Sequence, residues 1–80
     1  MSRHDVHVPK WGLSIERMTI VEWLTKVGDE VAEGDPLCEV ETDKANSEIE
    51  APVAGTLVEI SGETGGEYEV GAVIAVIESA

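Results

Sequence analysis

Sliding the sequence against itself by 37 positions aligns residues 19–41 with residues 56–78 without a gap. Such self-similarity restricts the fold to one assembled from two copies of a single unit. Identical pairs are Thr19/Thr56, Val21/Val58, Glu22/Glu59, Gly28/Gly65, Glu30/Glu67, Gly34/Gly71 and Glu41/Glu78. Apolar residues fall into the same register at Ile20/Leu57, Trp23/Ile60, Val31/Tyr68, Leu37/Ile74 and Val40/Ile77. Each half therefore offers equivalent side chains to one shared core, and the matched glycines fix where each half turns.

Within each copy the pattern predicts a strand (Thr19 to Thr25; Thr56 to Ser61), a Gly-centred turn and a short strand near Val31 or Tyr68. A second Gly turn and a longer strand follow. Adding a strand over Val6-His7-Val8 and another from Ser47 to Glu50 gives roughly eight strands in two sheets. Val and Ile dominate the apolar residues, Phe is absent, and eight Gly with three Pro punctuate the chain, all of which favours short strands over helices.

A chain of 80 residues buries only about 60–65% of its unfolded surface and leaves no room for an enclosed active site. Its net charge of −12 argues against phosphate backbones and anionic membrane surfaces as partners. The single cysteine, Cys38, allows no internal disulfide and is expected in the core, with a reducing compartment as the natural setting. No apolar run approaches a membrane span, and Met1-Ser2-Arg3-His4-Asp5 lacks a secretory signal's apolar stretch. These features set the expectation of a cytosolic protein, or one of an organelle matrix with its targeting segment absent. Glu78-Ser79-Ala80 ends directly after an apolar strand, so residues 1–80 are expected to be one domain at the N-terminal side of a longer polypeptide.

From Val27 onward the chain carries fourteen carboxylates and one basic residue, Lys44. It lies in Glu41-Thr42-Asp43-Lys44-Ala45-Asn46, between the alternating segments Glu39-Val40-Glu41 and Ser47-Glu48-Ile49-Glu50, and so reads as the tip of a hairpin. A lone cation among anions at an open turn is most simply an attachment point. The neighbouring carboxylates favour its protonated form, so its acylation calls for a separate enzyme. Moving 37 positions from Lys44 reaches His7 in one direction and one residue past Ala80 in the other. A two-fold relation thus equates the turn with the region where the termini meet, and places Lys44 at the far end from both.

The repeat, the paired sheets and the Glu-Thr-Asp-Lys-Ala turn together resemble a lipoyl domain of the biotinyl/lipoyl attachment family. The resemblance covers nearly the whole chain: Val8-Pro9-Lys10-Trp11-Gly12-Leu13-Ser14, Val27-Gly28-Asp29-Glu30-Val31 with Glu33-Gly34-Asp35, the turn itself, and Glu50-Ala51-Pro52-Val53-Ala54-Gly55. The Pro-Lys-Trp-Gly-Leu opening is most similar to acyltransferase components of acetoin and pyruvate dehydrogenase complexes. One departure is Arg17-Met18, where relatives place an acidic residue or Gly, which leaves the local turn geometry open. The implied fold is an all-β flattened barrel-sandwich hybrid of two roughly four-stranded antiparallel sheets with internal pseudo-two-fold symmetry.

What the resemblance implies for function is a carrier. Lys44 would receive lipoic acid in amide linkage from a lipoyl-attaching enzyme. A thiamine-diphosphate-dependent decarboxylase would acylate the arm, an acyltransferase core would pass the acyl group to coenzyme A, and dihydrolipoamide dehydrogenase would reoxidise the dithiol. Glu41, Asp43, Ala45 and Glu48 would be read by the attaching enzyme, and the acidic faces with the Lys10–Ser14 loop by the decarboxylase. Tethering makes such encounters intramolecular; the contacts are expected to be small and salt-sensitive, the isolated domain monomeric.

Rival readings differ in class. A biotin carrier for carboxyl transfer shares the fold but typically has Met on both sides of its lysine, where this chain has Asp43 and Ala45. A glycine-cleavage carrier would need terminal helices absent here, and an unmodified interaction module would keep the fold without the chemistry. A stand-alone enzyme lacks the means, since one cysteine and two histidines assemble no Ser/His/Asp or Cys/His set. His4 and His7 have opposite parity on a strand, which disfavours a shared metal. Gly62-Glu63-Thr64-Gly65-Gly66 reads as a structural turn matching that through Gly28, and its Glu would repel phosphate. Trp23, the repeat mate of Ile60, is expected in or beside the core; Trp11 is balanced between packing and contact with a partner or the arm. Met1 and Met18 carry no signal.

Overall fold

In the computed structural model the described residues are 2–9, 16–42 and 45–79. They form eight strands: β1 Ser2–His7, β2 Arg17–Trp23, β3 Glu30–Val31, β4 Pro36–Glu41, β5 Asn46–Glu50, β6 Gly55–Ile60, β7 Glu67–Glu69 and β8 Val73–Ser79. One sheet has the order β1-β8-β6-β3 and the other β5-β4-β2-β7, with every pairing antiparallel. The expected pair of four-stranded sheets is therefore the observed one.

The two halves make reciprocal hydrogen bonds at equivalent positions. Gly28 N donates to Leu57 O at 2.7 Å, and its repeat mate Gly65 N donates to Ile20 O, also at 2.7 Å. Leu24 N donates to Leu37 O, and Ser61 N to Ile74 O, each at 2.9 Å. Gly28 and Gly65 have φ of 100° and 85°, and Gly34 and Gly71 have 91° and 92°, a region closed to most side chains but open to glycine. Each β2 and β6 strand carries a bulge at the same place, between Ile20 and Glu22 and between Leu57 and Glu59.

Alternation across the strands supplies the core. Ile20, Leu37, Val40, Leu57, Ile74 and Ile77 are fully buried, joined by Cys38, Val6, Val8 and Ile49. The apolar repeat pairs thus face one another between the sheets, which is where area burial stabilises such a small domain most. Trp23 is half-buried against this cluster, as expected, and its Nε1 donates to Gly62 O at 2.9 Å, tying β2 to the β6–β7 loop.

Three expectations are corrected. β1 begins at Ser2, four residues before Val6, because its polar N-terminal half pairs residue by residue with β8 from Ser79 onward. β2 begins at Arg17 rather than Thr19: Arg17 and Met18 are strand, paired with Glu69 and Tyr68, and Met18 is a core side chain at 1% exposure. Finally, β5 and β1 are related by 43 positions rather than 37, since Val40↔Ser47 in one sheet corresponds to His4↔Ile77 in the other. The chain between β1 and β2 holds the six additional residues, so the mate of the 42–45 turn is the meeting of Ser79 with Ser2, not His7.

The hairpin and the chain ends nevertheless lie at opposite ends of the molecule, as the two-fold demands. β2 starts beside the hairpin, with Thr19 opposite Glu41, and runs away from it to Trp23. The following loop then reaches Leu57, whose strand partner Ile77 lies two residues from Ser79.

Candidate functional site

The β4–β5 hairpin is closed by contacts between Thr42 and Ala45. Glu41 and Asn46 are the last pair of the ladder. Inside it, Thr42 N donates to Ala45 O at 3.0 Å, Thr42 Oγ1 donates to the same carbonyl at 2.8 Å, and Ala45 N donates to Thr42 Oγ1 at 3.2 Å. Asp43 and Lys44, which sequence places between Thr42 and Ala45, lie outside the described residues, as does the expected influence of the carboxylates on the lysine.

The flanks of the turn are open. Glu41, Ala45, Asn46 and Glu48 are exposed, so a long flexible group attached within the turn would meet no covering wall from them. Of the four expected recognition residues, Glu41, Ala45 and Glu48 are thus brought together around the hairpin. Glu41 also borders a cleft of about 280 Å³ lined by Glu16, Arg17, Met18, Thr19, Thr42 and Glu67. Across that cleft Arg17 Nη1 lies 3.4 Å from Glu67 Oε1.

Sequence reasoning did not single out the cross-strand row behind the hairpin. On the outer face of the same sheet Glu48 stands opposite Glu39, and Glu39 opposite Glu22. Neither ion pair found among the described residues, Arg3–Glu78 or Arg17–Glu67, involves this row. The alternation Glu39-x-Glu41 and Glu48-x-Glu50 was the available signal, but the opposition to Glu22 depends on the bulge in β2.

Other singled-out residues are placed as follows. His4 Nε2 lies 3.0 Å from Ser79 Oγ and His7 is exposed. Among the described residues no group of three or more His, Cys, Asp or Glu is arranged to hold a metal ion. The Gly62–Gly66 segment is a turn, with Gly66 N donating to Glu63 O at 2.9 Å. Cys38 is a free, buried thiol whose pKa burial pushes up to about 11. Trp11 and the Lys10–Ser14 loop lie outside the described residues.

Comparison with known proteins adds four findings. Residues 4–77 match the Biotin_lipoyl family model, described as biotin-requiring enzyme. The chain is 50% identical over 76 residues to the dihydrolipoyllysine-residue acetyltransferase component of the pyruvate dehydrogenase complex of Corynebacterium glutamicum, covering 95% of this chain and 11% of that protein. It is 40% identical to the acetyltransferase component of the acetoin cleaving system of Pseudomonas putida, covering 92% of this chain and 20% of that protein. The solved lipoyl domain of the 2-oxoglutarate dehydrogenase complex from Azotobacter vinelandii superimposes with a TM-score of 0.73 at 27% identity, over 95% of this chain and 98% of that one. The chain thus spans about a tenth to a fifth of the length of these curated relatives.

Proposed function

This chain belongs to the Biotin_lipoyl family, and on that premise we propose that it is a lipoyl carrier domain whose Lys44 bears lipoic acid in amide linkage. The observation that carries this reading is the closed, open-flanked 42–45 hairpin, remote from Ser2 and Ser79. Lipoate held there would supply a dithiolane whose sulfur can carry an acyl group. The chain's own residues do the rest: the exposed flanks leave the turn accessible, and Glu41, Ala45 and Glu48, with Asp43 next to the lysine in sequence, are the residues an attaching enzyme would read. The carrier would visit a thiamine-diphosphate-dependent decarboxylase, an acyltransferase core with coenzyme A, and dihydrolipoamide dehydrogenase. The proposed setting is the bacterial cytoplasm, or the mitochondrial matrix in a eukaryote. The names of the two relatives, both dihydrolipoyllysine-residue acetyltransferase components, together with Asp43 and Ala45 beside the lysine, support lipoate over biotin.

Intact mass after co-expression with a lipoyl-attaching enzyme, and separately with a biotin-attaching enzyme, tests the reading. The wild type gains one lipoyl group, and Lys44→Gln gains nothing while keeping its thermal midpoint. Incubating the lipoylated domain with several candidate decarboxylases and their 2-oxo acids then identifies the parent reaction. Biotinylation in place of lipoylation, or modification of Lys44→Gln, would refute the assignment.

A further inference from the structure

The hydroxyl of Thr42 does more in the hairpin than a two-residue turn requires. It donates to Ala45 O at 2.8 Å and accepts from Ala45 N at 3.2 Å. With the backbone bond from Thr42 N to Ala45 O at 3.0 Å, three contacts join the residues that bracket Asp43 and Lys44. A hydroxyl is the smallest side-chain group able to donate and accept at once. The β-branch of threonine restricts χ1, which limits the cost of fixing it there.

The fold contains an internal control. At the mate of the hairpin, where the chain ends meet, Ser79 takes the place of Thr42 and Ser2 that of Ala45. Ser79 Oγ donates to Ser2 O there, but at 3.4 Å, and the same oxygen lies 3.0 Å from His4 Nε2. A hydroxyl-to-carbonyl tie thus recurs at both positions, and it is short and doubled only where the chain continues through the lysine turn.

We propose that Thr42 is a positioning residue for modification of Lys44: its hydroxyl ties Thr42 to Ala45 in advance, so that the attaching enzyme meets a hairpin already closed at the base of the lysine turn. This rests on the reading of Lys44 as the attachment residue. When only a fraction of molecules is competent to bind, apparent affinity falls by that fraction, so loss of the tie raises KM and leaves kcat in place.

The test compares the wild type with Thr42→Val, which keeps the shape without the hydroxyl, and Thr42→Ser, which keeps the hydroxyl. Amide exchange at Ala45 is measured on the unmodified domain, and modification kinetics with an ATP-dependent lipoyl-attaching enzyme and lipoate. Thr42→Val is expected to exchange Ala45 N–H roughly tenfold faster, the effect of losing about one hydrogen bond, and to raise KM about three- to tenfold at unchanged kcat. Thr42→Ser restores both. Unchanged exchange and KM in Thr42→Val would overturn the proposal, as would a fall in kcat and thermal midpoint with KM intact, the mark of a merely structural role. A wild type that accepts no lipoate refutes the carrier reading and with it the presentation role, while Ala45 exchange still decides whether the hydroxyl closes the turn.

Discussion

Replacing Glu39 with Val should stabilise the domain, and by an amount that salt controls. Glu39 faces Glu48 on one side and Glu22 on the other, in register across three strands. At a carboxylate separation of about 6 Å, each like-charge pair costs about 0.7 kcal/mol in water. Screening at physiological ionic strength, with a Debye length of about 8 Å, halves that. Two pairs therefore oppose folding by about 0.7 kcal/mol, and Val adds a few tenths through its better fit to a pleated surface. The sum of about 1 kcal/mol corresponds to a rise of roughly 4–8 °C in the midpoint of a domain this size.

The other sheet indicates that the fold accepts the change, because Val76, the repeat mate of Glu39, stands there between Asp5 and Glu59. Thermal melts by circular dichroism at low, physiological and molar NaCl are the assay. At 1 M salt the Debye length falls to about 3 Å, so the wild type should recover most of the electrostatic difference and the advantage of Glu39→Val should shrink by about half. Val76→Glu should do the converse, lowering the midpoint and steepening its salt dependence. A Glu39→Val midpoint at or below the wild type, or a gain indifferent to salt, would refute the account of the row as a like-charge repulsion.

Two further outcomes follow from burial. Met18→Ala removes a side chain exposed to only 1% and should cost about 2–5 kcal/mol, a large part of the total for a domain this size, read as a lowered urea midpoint. Cys38 should resist iodoacetamide at pH 8 in the native state and react once urea exposes it, since the thiolate is the reactive form. With its folded pKa raised from 9.0 to about 11, the native state holds the proton where the unfolded chain has lost it. Stability from this group is complete below pH 9 and lost as pH rises toward 11, which urea titrations across that range would register; a flat profile would count against the burial argument.

The repeat made the sheets readable because identical glycines and matched apolar pairs carry both turn position and inward face. What escaped detection lay where the two halves differ. Met18 corresponds to Gly55 in the other copy, so no apolar match marked it as core. The polar start of β1 gave no alternation, its pairing depending instead on Arg3 reaching Glu78 at 3.4 Å and on His4 beside Ser79. The change of offset from 37 to 43 arose in the chain between β1 and β2, beyond the limits of the repeat. At the site, the hairpin was legible from its flanking alternation, but the Thr42–Ala45 contacts and the opposition of Glu22, Glu39 and Glu48 depend on geometry that no single segment encodes.

A fold with two equivalent ends distinguishes them by side chains as well as by where the chain opens. At the end where the chain opens, Glu78 is tied to Arg3. At the hairpin the corresponding residues are Glu41 and Asn46, so the carboxylate faces an amide in place of a guanidinium. Two rows further in, Glu39 stands where the other sheet has neutral Val76, a second difference that makes the hairpin sheet the more negative. Duplication thus supplied the frame, while the charge asymmetry concentrated negative potential on the sheet that bears the lysine turn. Because exposed charges act within about a Debye length, that asymmetry orients an approaching cationic surface toward the hairpin sheet before any contact forms. Neutralising Glu39 should therefore slow association with a basic partner more than it changes the rate of dissociation.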